Sequence, residues 1–86
     1  MIQIFFLHKV VLSIRCAKCK CKLFKYHKIG QGKVLKCHKE RILPLNFIEE
    51  DGKMYCPCTN LIGIDKGSFY QMKQGQFVYS GTKDFT

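Results

Sequence analysis

The chain has 86 residues and a formal net charge of +9, from 15 Lys or Arg against 6 Asp or Glu. That length excludes a multidomain architecture and leaves a core too small to be comfortable without a staple. The 6 cysteines supply material for one, and the basic balance favours polyanionic partners over acidic electron-transfer chemistry.

In chain order, the apolar runs at 2–7 and 10–15 predict two strands. The stretch MIQIFFLHKVVLSIRC starts without a positive side chain and is broken by His8 and Lys9, so it does not read as a secretory signal. Arg15 stands where a lipoprotein signal needs a small residue before the cysteine, and the run is too short and too charged to span a bilayer. These features predict a cytoplasmic protein with no membrane partner. In that compartment structural disulfides are rare and clustered cysteines more often hold a metal.

The next stretch, SIRCAKCKCKLFKYHK, carries Cys16, Cys19 and Cys21. Cys16 and Cys19 enclose two residues, a spacing that lets a tight turn aim both thiolates at one ion while backbone N–H groups bond the sulfurs. Cys21 lies two beyond Cys19 and reads as a spare thiol. Strands are predicted at 22–28 and 33–37, with Gln31-Gly32 between them as a hairpin turn. Alternation in the first places Leu23, Lys25 and His27 on one face and Phe24, Tyr26 and Lys28 on the other, so the aromatic rings read as core rather than as a stacking platform. Cys37 reads as a small apolar core residue. It is also the alternative metal ligand, in place of Cys58, with His38 beside it chemically acceptable.

Pro44 and the polar Glu49-Glu50-Asp51-Gly52 mark an irregular connection between two halves. The second half predicts strands at 53–56, 61–64, 68–73 and 76–80, with Gln74-Gly75 as a second hairpin turn. Cys56 and Cys58, around Pro57, form a tighter second knuckle. Each half thus reads as a cysteine knuckle followed by a sheet, a loose duplication clamped by one ion. The predicted fold is mainly β, a small single-domain zinc ribbon of short antiparallel hairpins around one four-cysteine site. Its domain spans 14–86, and residues 1–13 form an extension, an added strand pair.

The runs CAKCKCKLFKYHKIGQGKVLKCHKERI and CPCTNLIGIDKGSFYQMKQGQFVYSGT resemble a family of small, uncharacterised prokaryotic zinc-ribbon proteins over residues 14–83. That resemblance implies a zinc-binding β domain with Cys16, Cys19, Cys56 and Cys58 as ligands and Cys37 as a recurring position, and it lends no activity. The chain departs from ribbon knuckles at Lys20 and Thr59, where glycine is usual. A weaker resemblance, to the two-sheet β-tent of Yippee proteins, implies an alternative architecture.

Charge is unevenly placed. Residues 1–41 hold 11 Lys or Arg and a single acid, Glu40, a balance of +10, whereas residues 42–86 hold 4 against 5, or −1. Lysines 18, 20, 22 and 25 in part balance a site whose four thiolates on zinc would add about −2. The remainder predicts nucleic-acid binding through phosphates by Lys22, Lys25, Lys28, Lys33, Lys36 and Arg41. No nucleophile-base pairing, phosphate loop or dinucleotide fingerprint appears, so the chain reads as a non-enzymatic zinc protein that binds nucleic acid. The alternatives are a zinc-stabilised protein-docking module, which would use the acidic and apolar second half, and a rubredoxin-like iron electron carrier. Rubredoxins carry glycine after two two-residue knuckles and tend to be acidic, features absent from this sequence.

Overall fold

The computed structural model describes residues 9–29 and 33–84. Strand β1 (Lys9–Cys16) turns back through the first cysteine pair into β2 (Lys22–Ile29). Then β3 (Lys36–His38) passes through a 3-10 turn, Lys39–Arg41, into β4 (Ile42–Pro44). The chain continues through β5 (Ile48–Glu50), β6 (Lys53–Tyr55), β7 (Leu61–Asp65), β8 (Phe69–Met72) and β9 (Phe77–Asp84). Two sheets result, ordered β4-β2-β1-β9 and β3-β8-β7-β6-β5, with antiparallel neighbours throughout.

Period-two alternation explains which faces meet. In the first sheet Leu12 pairs with Tyr26 and Ile14 with Phe24, and all four are buried. In the second, Cys37 pairs with Tyr70 and Met54 lies opposite Gly63, which lies opposite Met72. These buried side chains form one core with those of the first sheet. Phe47, between β4 and β5, bridges the layers with its ring edge-on to Phe24 at 5.7 Å and to Tyr70 at 6.3 Å. The expected burial of Phe24 and Tyr26 is met, at 0% and 2% exposure.

The two hairpins expected at Gln-Gly pairs are corrected. Gln74-Gly75 does turn, with Gly75 at φ +87° and the Gln76 N–H bonded to the Lys73 carbonyl at 3.1 Å. The turn nevertheless sends the chain from one sheet to the other, because β3 and β7 occupy both edges of β8 and leave no place for β9. In the same way β1 and β4 flank β2, so β3 joins the opposite sheet; Gln31-Gly32 itself lies outside the described residues. The connection expected at 49–52 is instead a hairpin. Asp51 and Gly52, at φ +53° and +74°, form the two-residue loop that joins β5 to β6. Pro44 closes β4, a sheet-edge strand where a missing N–H is tolerated.

The strand predicted at 2–7 lies outside the described residues. The boundary expected at residue 13 falls inside β1, which is bonded on one side to β2 and on the other to β9.

Candidate metal centre

Both cysteine pairs occupy hairpin turns, β1–β2 in one sheet and β6–β7 in the other. The turns are wired alike despite differing by one residue. Each follows a shift in strand register, at Ile14/Arg15 and at Met54/Tyr55. The carbonyl of the first cysteine accepts the N–H of Lys20 at 2.9 Å in one turn and of Thr59 at 2.7 Å in the other. The N–H of that cysteine donates to the Cys21 carbonyl at 3.0 Å and to the Asn60 carbonyl at 2.9 Å, respectively. Lys20 and Thr59 hold φ of +65° and +79°, the left-handed conformation in which glycine is least strained. The backbone thus adopts the knuckle geometry without the usual glycines.

The turns bring the sulfurs of Cys16, Cys19, Cys56 and Cys58 within 4.8 Å of one another. Two pairs cross between turns in close contact, Cys16 to Cys58 at 3.6 Å and Cys19 to Cys56 at 3.4 Å. Both exceed the ~2.05 Å of a disulfide. They approach the ~3.8 Å edge of a tetrahedron with metal–sulfur bonds of about 2.3 Å, so the donor set fits a four-coordinate thiophilic ion. Cys16 and Cys56 are buried, whereas Cys19 and Cys58 face solvent. Backbone N–H groups support the buried sulfurs, from Lys18 to Cys16 at 3.3 Å and from Cys58 to Cys56 at 3.5 Å.

Electrostatics divide the cluster. Burial drives the Cys16 thiol up, but the N–H groups of Cys19 and Lys18, the Asn60 amide and the Cys58 thiol outweigh it and bring Cys16 down to about 6. Burial pushes Cys56 up, and the sulfurs around it reinforce that direction. The pocket therefore accommodates a first thiolate readily and resists another until a cation discharges it.

Asn60 is the residue beside the cluster that spacing rules missed. It is the buried polar side chain of the described core, at 7% exposure. Its amide donates to the Cys16 sulfur at 3.5 Å and to the Gln76 carbonyl at 3.1 Å. The same carbonyl accepts the Ala17 N–H at 3.0 Å, so the crossover after β8 ties the two turns together. The available signal was a lone amide opening the apolar run Leu61-Ile62-Gly63-Ile64 directly after the knuckle.

Cys21 and Cys37 stand outside the four-sulfur cluster. Cys21 is half-buried and accepts the Asn46 amide at 3.4 Å. Cys37 is fully buried on β3, where loss of water pushes its thiol up to about 12. Of the six cations expected to contact phosphate, Lys28, Lys33, Lys36 and Arg41 line one cavity of about 330 Å³, together with Tyr26, Val34, Leu35 and His38. Lys22 and Lys25 are not part of that lining. Elsewhere Lys39 and Asp65 pair at 2.9 Å, and the Tyr70 hydroxyl donates to Glu49. Among the described residues no helix is long and apolar enough to cross a membrane.

No family model matches the chain, and neither does any curated protein or solved structure.

Proposed function

We propose that this is a non-enzymatic, cytoplasmic zinc protein whose metal joins two sheets and whose basic half binds nucleic acid through phosphates. The observation that carries the reading is the convergence of four thiols from two hairpins onto one point. Cys16, Cys19, Cys56 and Cys58 would hold the ion, and zinc would supply a redox-inert tetrahedral crosslink. Iron would suit the same donors, and metal analysis distinguishes the two. Two sheets, each bearing one cysteine turn, also support the weaker of the resemblances, that to β-tent domains.

Charge supports the nucleic-acid part. Residues 1–41 carry 11 cations against one acid, a balance of +10 that neighbouring carboxylates of the same half cannot offset, and the Lys39–Asp65 pair engages one of those cations. Five or so phosphate contacts predict that log affinity falls against log salt with a slope of about −4 and little sequence preference. The test is a titration with single- and double-stranded oligonucleotides at several salt concentrations. Absence of binding near ~50 mM salt, where electrostatic association is strong, would favour the protein-docking reading instead. For that reading the specific support is the exposed apolar group Leu43, Leu45 and Ile48.

A further inference from the structure

The cavity at the seam between β2 and β3 is more specific than a basic surface needs to be. Lys28, Lys33, Lys36 and Arg41 line it, and no carboxylate is among the described residues that do. Lys36 lies 4.8 Å from the centre of the Phe69 ring, a contact that orients its ammonium without neutralising it. Lys39, the partner of Asp65, is outside the lining.

Tyr26 adds a directional donor. Its side chain is buried at 2% exposure and lines the cavity, and its hydroxyl accepts the His38 N–H at 2.9 Å. That bond uses a lone pair of the oxygen and leaves the hydroxyl proton without an acceptor among the described residues. A buried donor of this kind gains most from an acceptor placed in the cavity. His38 lines the same wall.

Charge and size select the ligand. A phosphodiester within a strand carries a single negative charge, whereas a phosphomonoester approaches −2 near neutral pH and offers three acceptor oxygens. Cations gathered around one cavity match the denser charge. The volume of about 330 Å³ is near the lower end for small-molecule sites, roughly ten times the space of one water, and therefore admits more than a single ion. We propose that this cavity binds a phosphate group bearing two or more negative charges, a phosphomonoester or polyphosphate. Lys28, Lys33, Lys36 and Arg41 hold its charge, and the Tyr26 hydroxyl donates to one of its oxygens. The source of that chemistry is either a free nucleotide or the phosphorylated end of a strand. In the second case the site deepens the nucleic-acid reading, and in the first it stands without it.

The experiment is calorimetric titration of the metal-loaded full chain at about 50 mM salt with inorganic tripolyphosphate, with ATP, and with one oligonucleotide bearing either a 5′-triphosphate or a 5′-hydroxyl. Tripolyphosphate is expected to bind at about one per chain. Its affinity should fall at least about tenfold in Lys33→Gln/Lys36→Gln, whose exposed positions leave the core intact. Tyr26→Phe should weaken it several-fold, with amide dispersion confirming the fold. Lys66→Gln/Lys73→Gln removes the same charge from exposed positions outside the cavity and should change it less than twofold. Preference for the 5′-triphosphate over the 5′-hydroxyl strand assigns the site to strand ends. Binding of ATP without that preference assigns it to free nucleotides. If tripolyphosphate binds while neither strand does, the nucleic-acid reading fails and the cavity assignment stands. Absence of tripolyphosphate binding at millimolar concentration, or equal losses in the two double variants, overturns the assignment.

Discussion

Lys20 and Thr59 hold left-handed backbone at +65° and +79° because each hairpin must curl its carbonyls and amides around a sulfur. For a residue with a Cβ that conformation costs about 1–2 kcal/mol, and β-branching makes Thr59 the more strained. Thr59→Gly is expected to stabilise the metal-loaded protein by about 1 kcal/mol and Lys20→Gly by less, since glycine also loosens the unfolded chain. Denaturant midpoints measure both. Asn60 acts through the sulfur it touches, at 3.5 Å from Cys16. Asn60→Ala should lower zinc affinity about 10- to 100-fold in competition with a chelator, while the ligand count stays unchanged. Among the described residues Cys37 has no such partner. Its folded thiol is held up near 12 against an ordinary value of about 9. The unfolded chain therefore loses that proton first, and stability present below about pH 9 is lost as pH rises toward 12. Cys37→Ala should make this alkaline slope shallower, leaving the share of Tyr70, whose hydroxyl burial and Glu49 push up, and it should retain zinc and cost roughly 1–2 kcal/mol for the lost volume. Stability measured between pH 8 and 11 checks the sign.

At the scale of elements, the two cysteine hairpins differ in how much pairing they have of their own, with β1 and β2 running 8 residues each and the second hairpin far less. Strands β5 and β6 have 3 residues each and β7 has 5, too little for a hairpin to persist alone. Zinc removal is therefore expected to unfold both turns and then the sheets, with collapse of amide dispersion on strong chelation, whereas Cys21→Ser should be nearly silent. The two pairs were legible in the sequence because ligand spacing is a local property. So was strand character, which follows from alternation in β1 and β2. Pairing was not legible. Gln74-Gly75 shows where the chain turns, but which edge β9 joins depends on β3 and β7 having taken both edges of β8, a property of the whole sheet. The strands β4 and β5 were missed because 3 residues, one of them Pro44 in β4 and two of them glutamates in β5, carry no period to read. Asp51-Gly52, a strong hairpin signal, was masked by the acids before it.

For the whole molecule, the two sheets share one buried core and are brought together at the four-cysteine cluster by the cysteine turns. Phe47 and the Tyr26–His38 hydrogen bond add further ties between the layers. Separating function from fold is therefore straightforward in charge variants. Lys25→Glu/Lys33→Glu should weaken oligonucleotide binding and flatten its salt slope by about 2 while zinc content is unchanged. Native mass spectrometry of protein purified without chelator reads directly whether four particular thiolates hold a metal. A single zinc per chain is expected, lost on serine substitution of Cys16, Cys19, Cys56 or Cys58 and retained on substitution of Cys21 or Cys37. A metal-free chain with intact amide dispersion, or loss of metal in the Cys37 variant with retention in the Cys58 variant, would contradict it.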